Sequence, residues 1–427
     1  MSDGRAPVAV IGAGVAGLAC AVHLQRAGVP VRVFEASDDV GGRVRTDAVD
    51  GFLIDRGFQV LPTAYPEVQR MLDLPALRLG CFLPGALVRR AAAFARFADP
   101  SRAPRELFAT LSSGVLSPLD LLRLLRLRSR ACRGSLADLY ARPESGAGAA
   151  LRELGFSERS IASFFRPFFA GVFLERELVS SSRFLEFALR TFALGDAALP
   201  AEGICAVPRQ LRAALAPGVV RTSATVEGLE ARAVRANGER FEASAIVVAV
   251  DGADAHRLLP ELPAVKFNAT TCLSFAADAP PLSEPLLVLD GERTGPVNHL
   301  CVPSNVAASY APAGKALISA SVIGSSREPA ASVERDVRAQ LAGWFGGAVA
   351  RWELLRIDRV ERALPCFTPG RSEDAVQPVC LREGVFVCGD HRELPSLQGA
   401  LASGRRAAGE VAAQLGLAPA SPEAISN

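Results

Sequence analysis

The chain has 427 residues, of which 49% are hydrophobic and 22% charged, and its net charge is +2. This composition is typical of a globular protein, and the length exceeds what one hydrophobic core usually serves, so we expect two domains. The near balance of charge excludes a protein that works by electrostatic binding to nucleic acid. The sequence contains no run of about 18 uncharged apolar residues, so it predicts no membrane-spanning helix.

The nine cysteines are scattered singly, without a Cys-x-x-Cys pair. This usage is typical of a reducing compartment, where thiols serve as small apolar side chains. The short polar segment from Met1 to Pro7 lacks the apolar centre of a signal peptide. We therefore expect a cytoplasmic protein, and we predict neither a disulfide redox centre nor a metal site.

The most informative stretch begins with four apolar residues, Val8 to Ile11, which are typical of a buried parallel strand. A Gly-x-Gly-x-x-Gly motif follows, formed by Gly12, Gly14 and Gly17. The first glycine allows a tight turn, the second lets a pyrophosphate approach the backbone, and the third lets a helix pack against the strand. We expect the diphosphate of a dinucleotide at the free N–H groups that begin this helix, near Ala16.

A second apolar strand, Val29 to Phe34, ends at Glu35, which is followed by Ala36. Glu35 lies 18 residues after Gly17, close to the spacing of about 20 residues expected of the acid that binds a ribose 2′-hydroxyl. A carboxylate there repels a 2′-phosphate, which disfavours NADP. A glycine-rich turn without a ligand is the alternative, but strand, helix, second strand and acid all fall in register.

Two further motifs follow. The first contains Gly41, Gly42 and Arg43 and continues as Gly-Phe-Leu-Ile-Asp-Arg-Gly over residues 51–57. Two glycines let the backbone close over a diphosphate, and the arginine can offer it a forked pair of donors. The second motif lies more than 340 residues later, where a short apolar strand ends at Gly389 and a helix of small residues begins after a loop.

Together these motifs resemble those of the superfamily of FAD-dependent amine oxidases, carotenoid (phytoene) desaturases and protoporphyrinogen oxidases, and the desaturase branch most. The resemblance implies noncovalently bound FAD and an α/β fold. A discontinuous Rossmann-like FAD-binding domain would be joined to a substrate domain made of a second, mixed sheet and helices. We place the FAD-binding domain at residues 1–64, 195–265 and 364–427, and the substrate domain at residues 65–194 and 266–363.

The resemblance also implies roles for individual residues. The backbone of Val226 would meet the adenine, Asp390 would accept hydrogen bonds from the ribityl or ribose-phosphate end, and the helix near Gln398 would point its positive end at the flavin. The predicted FAD-binding residues are Gly12, Gly14, Ala16, Gly17, Glu35, Ala36, Gly41, Gly42, Arg43, Gly57, Phe58, Gln59, Val226, Gly389, Asp390, Gln398, Gly399 and Ala400.

The predicted catalytic residue is His391, because a histidine beside the flavin is a proton acceptor suited to neutral pH. A purely structural hydrogen-bond partner is the alternative role for this side chain. Gln59, His299 and Asn298 are further polar candidates near the flavin ring.

The segment from Leu119 to Arg130 is strongly helical, with Arg123, Arg126 and Arg130 recurring on one face. We interpret it as a surface helix with a solvated arginine face. A basic amphipathic helix on an anionic membrane surface, peripheral to the inner face of the membrane, is the alternative.

Five phenylalanines fall within ten residues, from Phe164 to Phe173. Such a cluster forms either the wall of an apolar substrate tunnel or the core of the helical region, and both interpretations stay open. Arg166, inside this run, is expected to pair with an acid or to face the cavity.

The remaining pattern predicts mostly strands. A hairpin is expected about Asn237 and Gly238, with residues 229–234 as its first strand. Further predicted strands cover residues 245–249, 270–276, 286–289, 299–303 and 316–323, and helices are predicted at residues 66–74, 207–215 and 332–345.

Only one dinucleotide motif is present, whereas a flavin reductase that uses NAD(P)H commonly has two. We therefore expect an organic substrate to reduce the flavin by hydride transfer to N5, with oxygen or a quinone as the final acceptor. The amine oxidase branch commonly carries a lysine in the strand that matches residues 270–275, and this chain has none there.

The sequence thus predicts dehydrogenation of an apolar small molecule of isoprenoid or polyene type. The alternatives are an amine oxidase, a protoporphyrinogen oxidase-like enzyme, a non-redox flavin-dependent isomerase, and a flavin-free module that binds prenylated proteins, as GDP-dissociation inhibitors do. The sequence does not determine the oligomeric state.

Overall fold

A computed structural model describes residues 6–99, 101–325, 327–370 and 376–418 of the chain. The strands are β1 (Val8–Ile11), β2 (Val31–Phe34), β3 (Thr46–Val49), β4 (Phe52–Asp55), β5 (Leu61–Pro62), β6 (Gly80–Cys81), β7 (Gly85–Arg90), β8 (Ala93–Ala98), β9 (Ala197–Leu199), β10 (Val220–Arg221), β11 (Val226–Glu230), β12 (Ala233–Ala236), β13 (Glu239–Glu242), β14 (Ile246–Val248), β15 (Phe267–Ala277), β16 (Leu287–Asp290), β17 (Val297–Cys301), β18 (Ala316–Ile323), β19 (Glu353–Pro365), β20 (Cys380–Arg382) and β21 (Val385–Val387).

The helices are α1 (Val15–Arg26), α2 (Pro66–Met71), α3 (Leu107–Ser112), α4 (Pro118–Cys132), α5 (Leu136–Tyr140), α6 (Ala147–Glu153), α7 (Glu158–Ser160), α8 (Arg166–Phe173), α9 (Ser182–Leu194), α10 (Ala206–Ala213), α11 (Gly252–Leu258), α12 (Pro303–Val306), α13 (Ala330–Phe345) and α14 (Leu397–Gln414). Short 3₁₀ turns cover Pro104–Glu106, Ala308–Tyr310, Gly346–Arg351 and Asp390–Arg392, and a π-helical turn covers Ile161–Phe165.

The first sheet has six strands in the order β10-β2-β1-β14-β21-β20. All neighbours pair in parallel except β20, which is antiparallel to β21. The sheet thus gathers strands from three distant parts of the chain. Helices α1 and α14 pack closely beside it, since a Cβ on Gly404 would lie 2.3 Å from the carbonyl oxygen of Ala16. This architecture confirms the predicted Rossmann-like α/β fold.

The second sheet has seven strands in the order β19-β15-β18-β17-β16-β7-β8. Its pairs are antiparallel except for β16 and β7, which run in parallel. Helix α13 covers one face, where Val337 and Leu341 share a core with Leu273 and Leu300. Residues of α4, α8 and α9 form a separate core with β7 and β8. The mixed sheet with helices confirms the predicted character of the substrate domain, while its exact boundaries remain a prediction.

One predicted strand is wrong. Residues 229–234 do not form a single strand, because the chain turns at residues 231–232 and pairs Leu229 with Val234. This turn contains neither glycine nor asparagine, so the sequence carries no signal for it. The next turn, at Asn237 and Gly238, is confirmed: both residues have positive φ, 49° and 77°, as a tight hairpin turn requires.

The arginine face predicted for α4 is exposed at Arg126 and Arg130, but two of its three arginines form ion pairs. Arg123 pairs at 2.9 Å with Asp120, whose side chain is fully buried, and Arg130 pairs at 3.0 Å with Glu186. Arg126 is exposed. Helical periodicity places these arginines on one side, but their acidic partners come from the packing of α4 against its neighbours. Among the described residues, no helix is long and apolar enough to cross a bilayer.

Candidate active site

A continuous cavity of about 920 Å³ runs between the two sheets and into the helical region. One end lies at the carboxyl ends of β1 and β2, where open parallel sheets bind their ligands. The other end is walled by side chains of α4, α8 and α9. The cavity therefore joins the predicted dinucleotide site to the phenylalanine-rich segment.

The three glycines of the first motif occupy different environments. Gly12 has φ +100°, which only glycine adopts readily, and a Cβ there would lie 2.9 Å from the carbonyl oxygen of Ala249. A Cβ on Gly17 would lie 2.0 Å from the carbonyl oxygen of Gly12, so this residue lets α1 pack against the turn. A Cβ on Gly14 would meet nothing within 4 Å, and Gly14 lines the cavity.

Helix α1 begins at the cavity wall. Gly14 is its N-cap, so no side chain satisfies the N–H groups of the first turn. Val15 and Ala16, the first two helical residues, both line the cavity. Uncapped N–H groups and the positive end of the helix dipole together form a site for a diphosphate.

The Glu35 carboxylate is held in place by three donors. Its Oε2 atom accepts a hydrogen bond from the Ala13 amide at 2.7 Å, and Oε1 accepts from the amide and hydroxyl of Ser37 at 2.9 and 2.7 Å. Glu35 lines the cavity together with Ala36 and Val226. The three donors therefore fix the Glu35 carboxylate at the end of β2, where the sequence predicts the ribose of the nucleotide.

In the middle of the cavity, Arg43 forms an ion pair with Asp390. The Nη2 atom of Arg43 lies 2.6 Å from Oδ1 of Asp390, and Nη1 donates to the carbonyl oxygen of Ala363 at 3.0 Å. The Asp390 side chain keeps only 7% of its surface exposed, against 35% for Arg43. The sequence assigned both residues to the cofactor but gave no sign that they bind each other, since they are 347 residues apart.

The motif around Asp55 connects the cavity to neighbouring loops. Its carboxylate accepts hydrogen bonds from the Thr46 hydroxyl, the Ile204 amide and the Tyr310 hydroxyl at 2.5, 3.0 and 2.8 Å. Burial raises the pKa of Asp55 to about 6. These hydrogen bonds hold the segment that precedes Gly57, and Gly57 lines the cavity.

The C-terminal motif brings Gly389, Asp390 and Ala400 to the cavity wall. Gln398 instead accepts a hydrogen bond from the Glu67 amide at 2.9 Å, at the start of α2. A Cβ on Gly399 would lie 2.1 Å from the carbonyl oxygen of Leu394, so this glycine permits a close backbone contact. Three predicted cofactor residues are therefore not brought to the cavity wall and serve packing: Gly17, Gln398 and Gly399.

His391 is buried beside the motif but is not among the described residues that line the cavity. Its ring lies against two glycines, since a Cβ on Gly389 would come within 2.6 Å of the ring and one on Gly252 within 3.2 Å. The catalytic role of His391 stays a prediction, and this placement favours the structural alternative.

His299, on β17, is the histidine that lines the cavity. Its ring centre lies 5.3 Å from that of Phe58, and its Nδ1 atom lies 3.1 Å from the side-chain amide of Asn298. That amide also donates to the carbonyl oxygen of Pro167, which assigns Nδ1 as an acceptor and places the imidazole proton on Nε2. Burial lowers the pKa of His299 to about 4, so the ring is neutral at physiological pH.

The far end of the cavity is aromatic. Phe164, Phe168 and Phe169 line it, with the first two rings stacked 5.8 Å apart. Phe164 and Phe169 also belong to the buried core, together with Phe165 and Phe173. Both interpretations of the phenylalanine cluster thus apply. Arg166, inside this run, lies 2.6 Å from Glu177. It therefore pairs with an acid, which is one of its two predicted roles.

Two arginines of the wall were missed by the sequence analysis. Arg102 forms an ion pair with Asp196, and Arg128 lies 3.6 Å from Asp99. Each positive charge at this end is therefore matched by a carboxylate from another part of the chain. No local sequence signal connects these partners.

A family profile described as flavin containing amine oxidoreductase matches residues 15–412. The chain belongs to this family. It is accordingly an FAD-dependent oxidoreductase, which confirms the predicted family, cofactor and enzyme class. Membership in a flavin-containing family argues against the flavin-free binding module.

Several curated proteins are similar to this flavin-containing oxidoreductase over short segments. Protoporphyrinogen oxidase 2 of Arabidopsis thaliana is 46% identical over 71 residues, 17% of this chain and 14% of that protein. Mitochondrial protoporphyrinogen oxidase of Nicotiana tabacum is 30% identical over 162 residues, 38% of this chain and 29% of that protein. Phytoene desaturase of Pantoea ananas is 45% identical over 64 residues, 14% of this chain and 13% of that protein. The chain thus spans less than a third of the length of each of these relatives.

Solved structures share the fold at low sequence identity. An oxidoreductase from Methanosarcina mazei superposes with a TM-score of 0.72 at 18% identity, covering 93% of this chain and 98% of the other. Putrescine oxidase bound to putrescine superposes with a TM-score of 0.71 at 18% identity, covering 96% and 99%. These similarities show the fold of the flavin-containing oxidoreductase and leave its substrate open.

The cavity fits FAD in its polar half. The uncapped start of α1 suits the diphosphate, Glu35 suits the adenosine ribose, and the open space at Gly14 leaves room for the phosphates. Arg43 and Asp390 lie where the cavity continues toward the aromatic end. The residues present are therefore those that would hold the cofactor.

Replacing Gly14 with alanine will weaken FAD binding without destabilising the apoprotein. Gly14 has φ −68°, which any residue adopts, and its Cβ would meet no protein atom. The added methyl group would occupy the space of the phosphates, and we expect an affinity loss of about 10-fold. Flavin titration of the apoprotein measures the affinity, and denaturant unfolding measures the stability. Equal affinity in both proteins would contradict the assignment of the phosphate site.

Stability will fall below pH 6 in part because of His299. Its folded-state pKa is about 4, below the value of about 6.5 in the unfolded chain, so the unfolded state binds more protons between these values. The stabilisation is present above pH 6.5 and is lost as the pH falls toward 4. His299→Gln should reduce the loss of unfolding free energy between pH 7 and pH 4 by about 3 kcal/mol. Denaturant titrations at each pH measure the unfolding free energy. An equal loss of unfolding free energy in wild type and variant would refute the role of His299.

Proposed function

We propose that this flavin-containing oxidoreductase dehydrogenates an apolar substrate of isoprenoid or polyene type. The observation that carries the proposal is the continuity of the FAD cavity with its aromatic end. An elongated hydrocarbon can lie along Phe164, Phe168 and Phe169 with one segment at the flavin end. The similarity to phytoene desaturase over one segment of the chain adds support.

The chain's own residues would bind and orient the substrate. The aromatic wall buries the hydrocarbon, and Phe58 and His299 lie where the cavity approaches the flavin region. Bound FAD supplies the acceptor for the hydride at N5, and oxygen or a quinone receives the electrons afterwards. The substrate also loses a proton, which would pass to water because the buried imidazole of His299 is a weak base.

The charges around the cavity favour a neutral substrate. Arg102 and Arg128 are matched by Asp196 and Asp99, which leaves no net positive charge for a porphyrinogen carboxylate at this end. An amine oxidase-type lysine is also missing from the described lining residues. Of the two lysines of the chain, Lys315 pairs at 2.6 Å with Asp278.

The test is anaerobic bleaching of the flavin by a panel of compounds: a polyene in detergent, a primary amine, a polyamine and protoporphyrinogen. We expect bleaching by the polyene alone. Bleaching by an amine or by protoporphyrinogen instead would overturn the proposal. Conversion of a polyene isomer without bleaching would identify the non-redox isomerase.

A matched pair of variants connects this activity to the aromatic wall. Phe168→Asp places a charge in the cavity and should slow bleaching by the polyene by at least about 10-fold, because the carboxylate must be desolvated. Phe345→Asp changes a partly buried ring outside the described cavity lining, and it controls for general loss of stability. Equal rates in the two variants would remove the wall from the proposal.

A further inference from the structure

We propose that one corner of the fold docks on a lipid bilayer containing anionic lipid, so that the apolar end of the cavity opens toward the membrane interior. The inference rests on the proposed function, because an apolar substrate would enter the cavity from the bilayer. The corner comprises α3, the first turns of α4 and the end of α9. Its apolar residues, called the docking surface below, are Leu107, Phe108, Leu111, Leu119, Leu122 and Leu194.

These side chains are unusually exposed for their type. Phe108 is 82% exposed, Leu194 58% and Leu119 53%. Ten large apolar side chains are exposed among the described residues, and six of them belong to the docking surface. Scattered exposed leucines are ordinary, but such concentration marks a site of interaction.

Hydrogen bonds and ion pairs hold the elements of this corner together. The Ala98 amide donates to the Thr110 hydroxyl at 3.1 Å, which fixes α3 beside the end of β8. Arg128 of α4 lies 3.6 Å from Asp99 and donates to the carbonyl oxygen of Ala193 at 3.1 Å, which ties α4 to both β8 and α9. The exposed apolar residues therefore belong to one packed unit.

The cavity opens in this corner. Leu83 lines the cavity and is 39% exposed. Leu125 of α4, three positions after Leu122, also lines the cavity, as do Phe192 and Ala193 of α9, which directly precede Leu194, and all three are partly exposed. The opposite end, beside the exposed Ala36 and Arg257, is polar. An apolar molecule in a bilayer could thus reach the flavin without passing through water.

The charge of the corner favours an anionic surface. Residues 101–133 contain seven arginines and two acids. Four of the arginines pair with carboxylates, whereas Arg105, Arg126 and Arg133 are exposed and form no ion pair among the described residues. Both acids are engaged: Asp120 is fully buried and pairs with Arg123, and Glu106 lies 3.3 Å from Arg96. Arginines beside an exposed apolar face attract anionic headgroups.

The same charge argues against a second copy of the chain as the occupant. In a twofold dimer the surface would face itself, so its excess of arginines would repel the same arginines of the other copy. A bilayer with anionic lipid satisfies both the apolar and the charged parts of the corner. We therefore commit to a lipid surface.

Vesicle flotation of the FAD-loaded protein tests the docking surface. We expect the protein to float with vesicles of phosphatidylcholine and phosphatidylglycerol, and less with phosphatidylcholine alone. Phe108→Asp combined with Leu119→Asp should lower the partition coefficient at least about 10-fold, and Arg105→Glu combined with Arg126→Glu on the order of 10-fold. Val179→Asp, at an exposed apolar residue between α8 and α9, is the matched control and should float like the wild type.

A spectroscopic readout keeps the test independent of activity. The chain has two tryptophans, Trp344 and Trp352, and both are buried. Phe108→Trp therefore places a reporter at the most exposed apolar position of the corner. Brominated phosphatidylcholine in the mixed vesicles should quench this reporter and blue-shift its emission, with little effect on the wild type.

The proposal is overturned if the wild type stays unbound to mixed vesicles, if the paired aspartate variant floats as the wild type does, or if the reporter is not quenched. A protein that is dimeric in solution, becomes monomeric with Phe108→Asp and ignores vesicles would assign the surface to a second copy. FAD content and unfolding midpoint verify that each variant is folded. Failure of the polyene to bleach the flavin, with vesicle binding intact, would refute the proposed function alone.

Discussion

Glu35→Ala will purify with little FAD, and its affinity for the flavin will fall on the order of 100-fold. A hydrogen bond to a carboxylate contributes roughly 1.5–3 kcal/mol, and the variant loses the one that we expect from the ribose 2′-hydroxyl. The variant also leaves the Ala13 and Ser37 amides without their acceptor. The measurement is the ratio of flavin to protein after purification, followed by titration of the apoprotein with FAD.

Glu35→Gln separates the two contributions. The amide keeps the shape of the side chain and one acceptor oxygen, so it can serve Ala13 or Ser37 but not both. We expect a smaller loss of affinity than with alanine. Glu239→Gln, at an exposed position on β13, is the control. Full flavin content in Glu35→Ala would show that the carboxylate supports only the local backbone.

Arg43→Met will destabilise the protein by about 3 kcal/mol and will also reduce FAD binding. The substitution leaves the carboxylate of Asp390, which is 7% exposed, without its partner, and an uncompensated buried charge is costly. Asp390→Asn should cost less, since arginine keeps more contact with solvent. Denaturant unfolding of the apoproteins measures both values.

The double variant Arg43→Met, Asp390→Leu distinguishes the ion pair from the cofactor site. An apolar pair in place of a buried ion pair is often nearly neutral for stability, so we expect most of the lost stability to return. FAD affinity should remain low, because the donors and acceptors for the cofactor are gone. Restoration of FAD binding together with stability would show that neither side chain contacts the cofactor.

The sequence predicted that both Glu35 and Arg43 bind the cofactor. It explains the position of Glu35 fully and that of Arg43 only in part. Glu35 follows from local order: strand, glycine turn, helix, second strand and acid. The role of Arg43 depends on Asp390, a residue 347 positions away. For that reason the first prediction could have been written from the sequence, and the second required the tertiary structure.

The docking surface shows the same division. The sequence predicted an amphipathic α4 with its arginine face in solvent, and a membrane surface was the alternative. The structure pairs Arg123 and Arg130 with acids and places α3, with the exposed Phe108, beside the opening of the cavity. The helical pattern gave no sign of α3, because the apolar residues on its exposed side resemble a core.

What the sequence determined by itself is local. Glycines at 12, 14 and 17 required a turn with one positive φ, a close helix contact and an open backbone, since steric limits act between near neighbours. Apolar runs similarly predicted several strands of the two sheets, among them β1, β14, β15 and β18, but they did not predict β19.

The tertiary structure decided what joins distant segments. It placed three phenylalanines of the cluster at the cavity wall and joined Gln398 to α2 by a hydrogen bond. It also brought His299 into the cavity, while His391 packed against glycines. Periodicity specifies that a side chain is buried, but the identity of its neighbour depends on how whole elements pack. Ion pairs and cavities arise only from that packing, because each needs residues from separate parts of the chain.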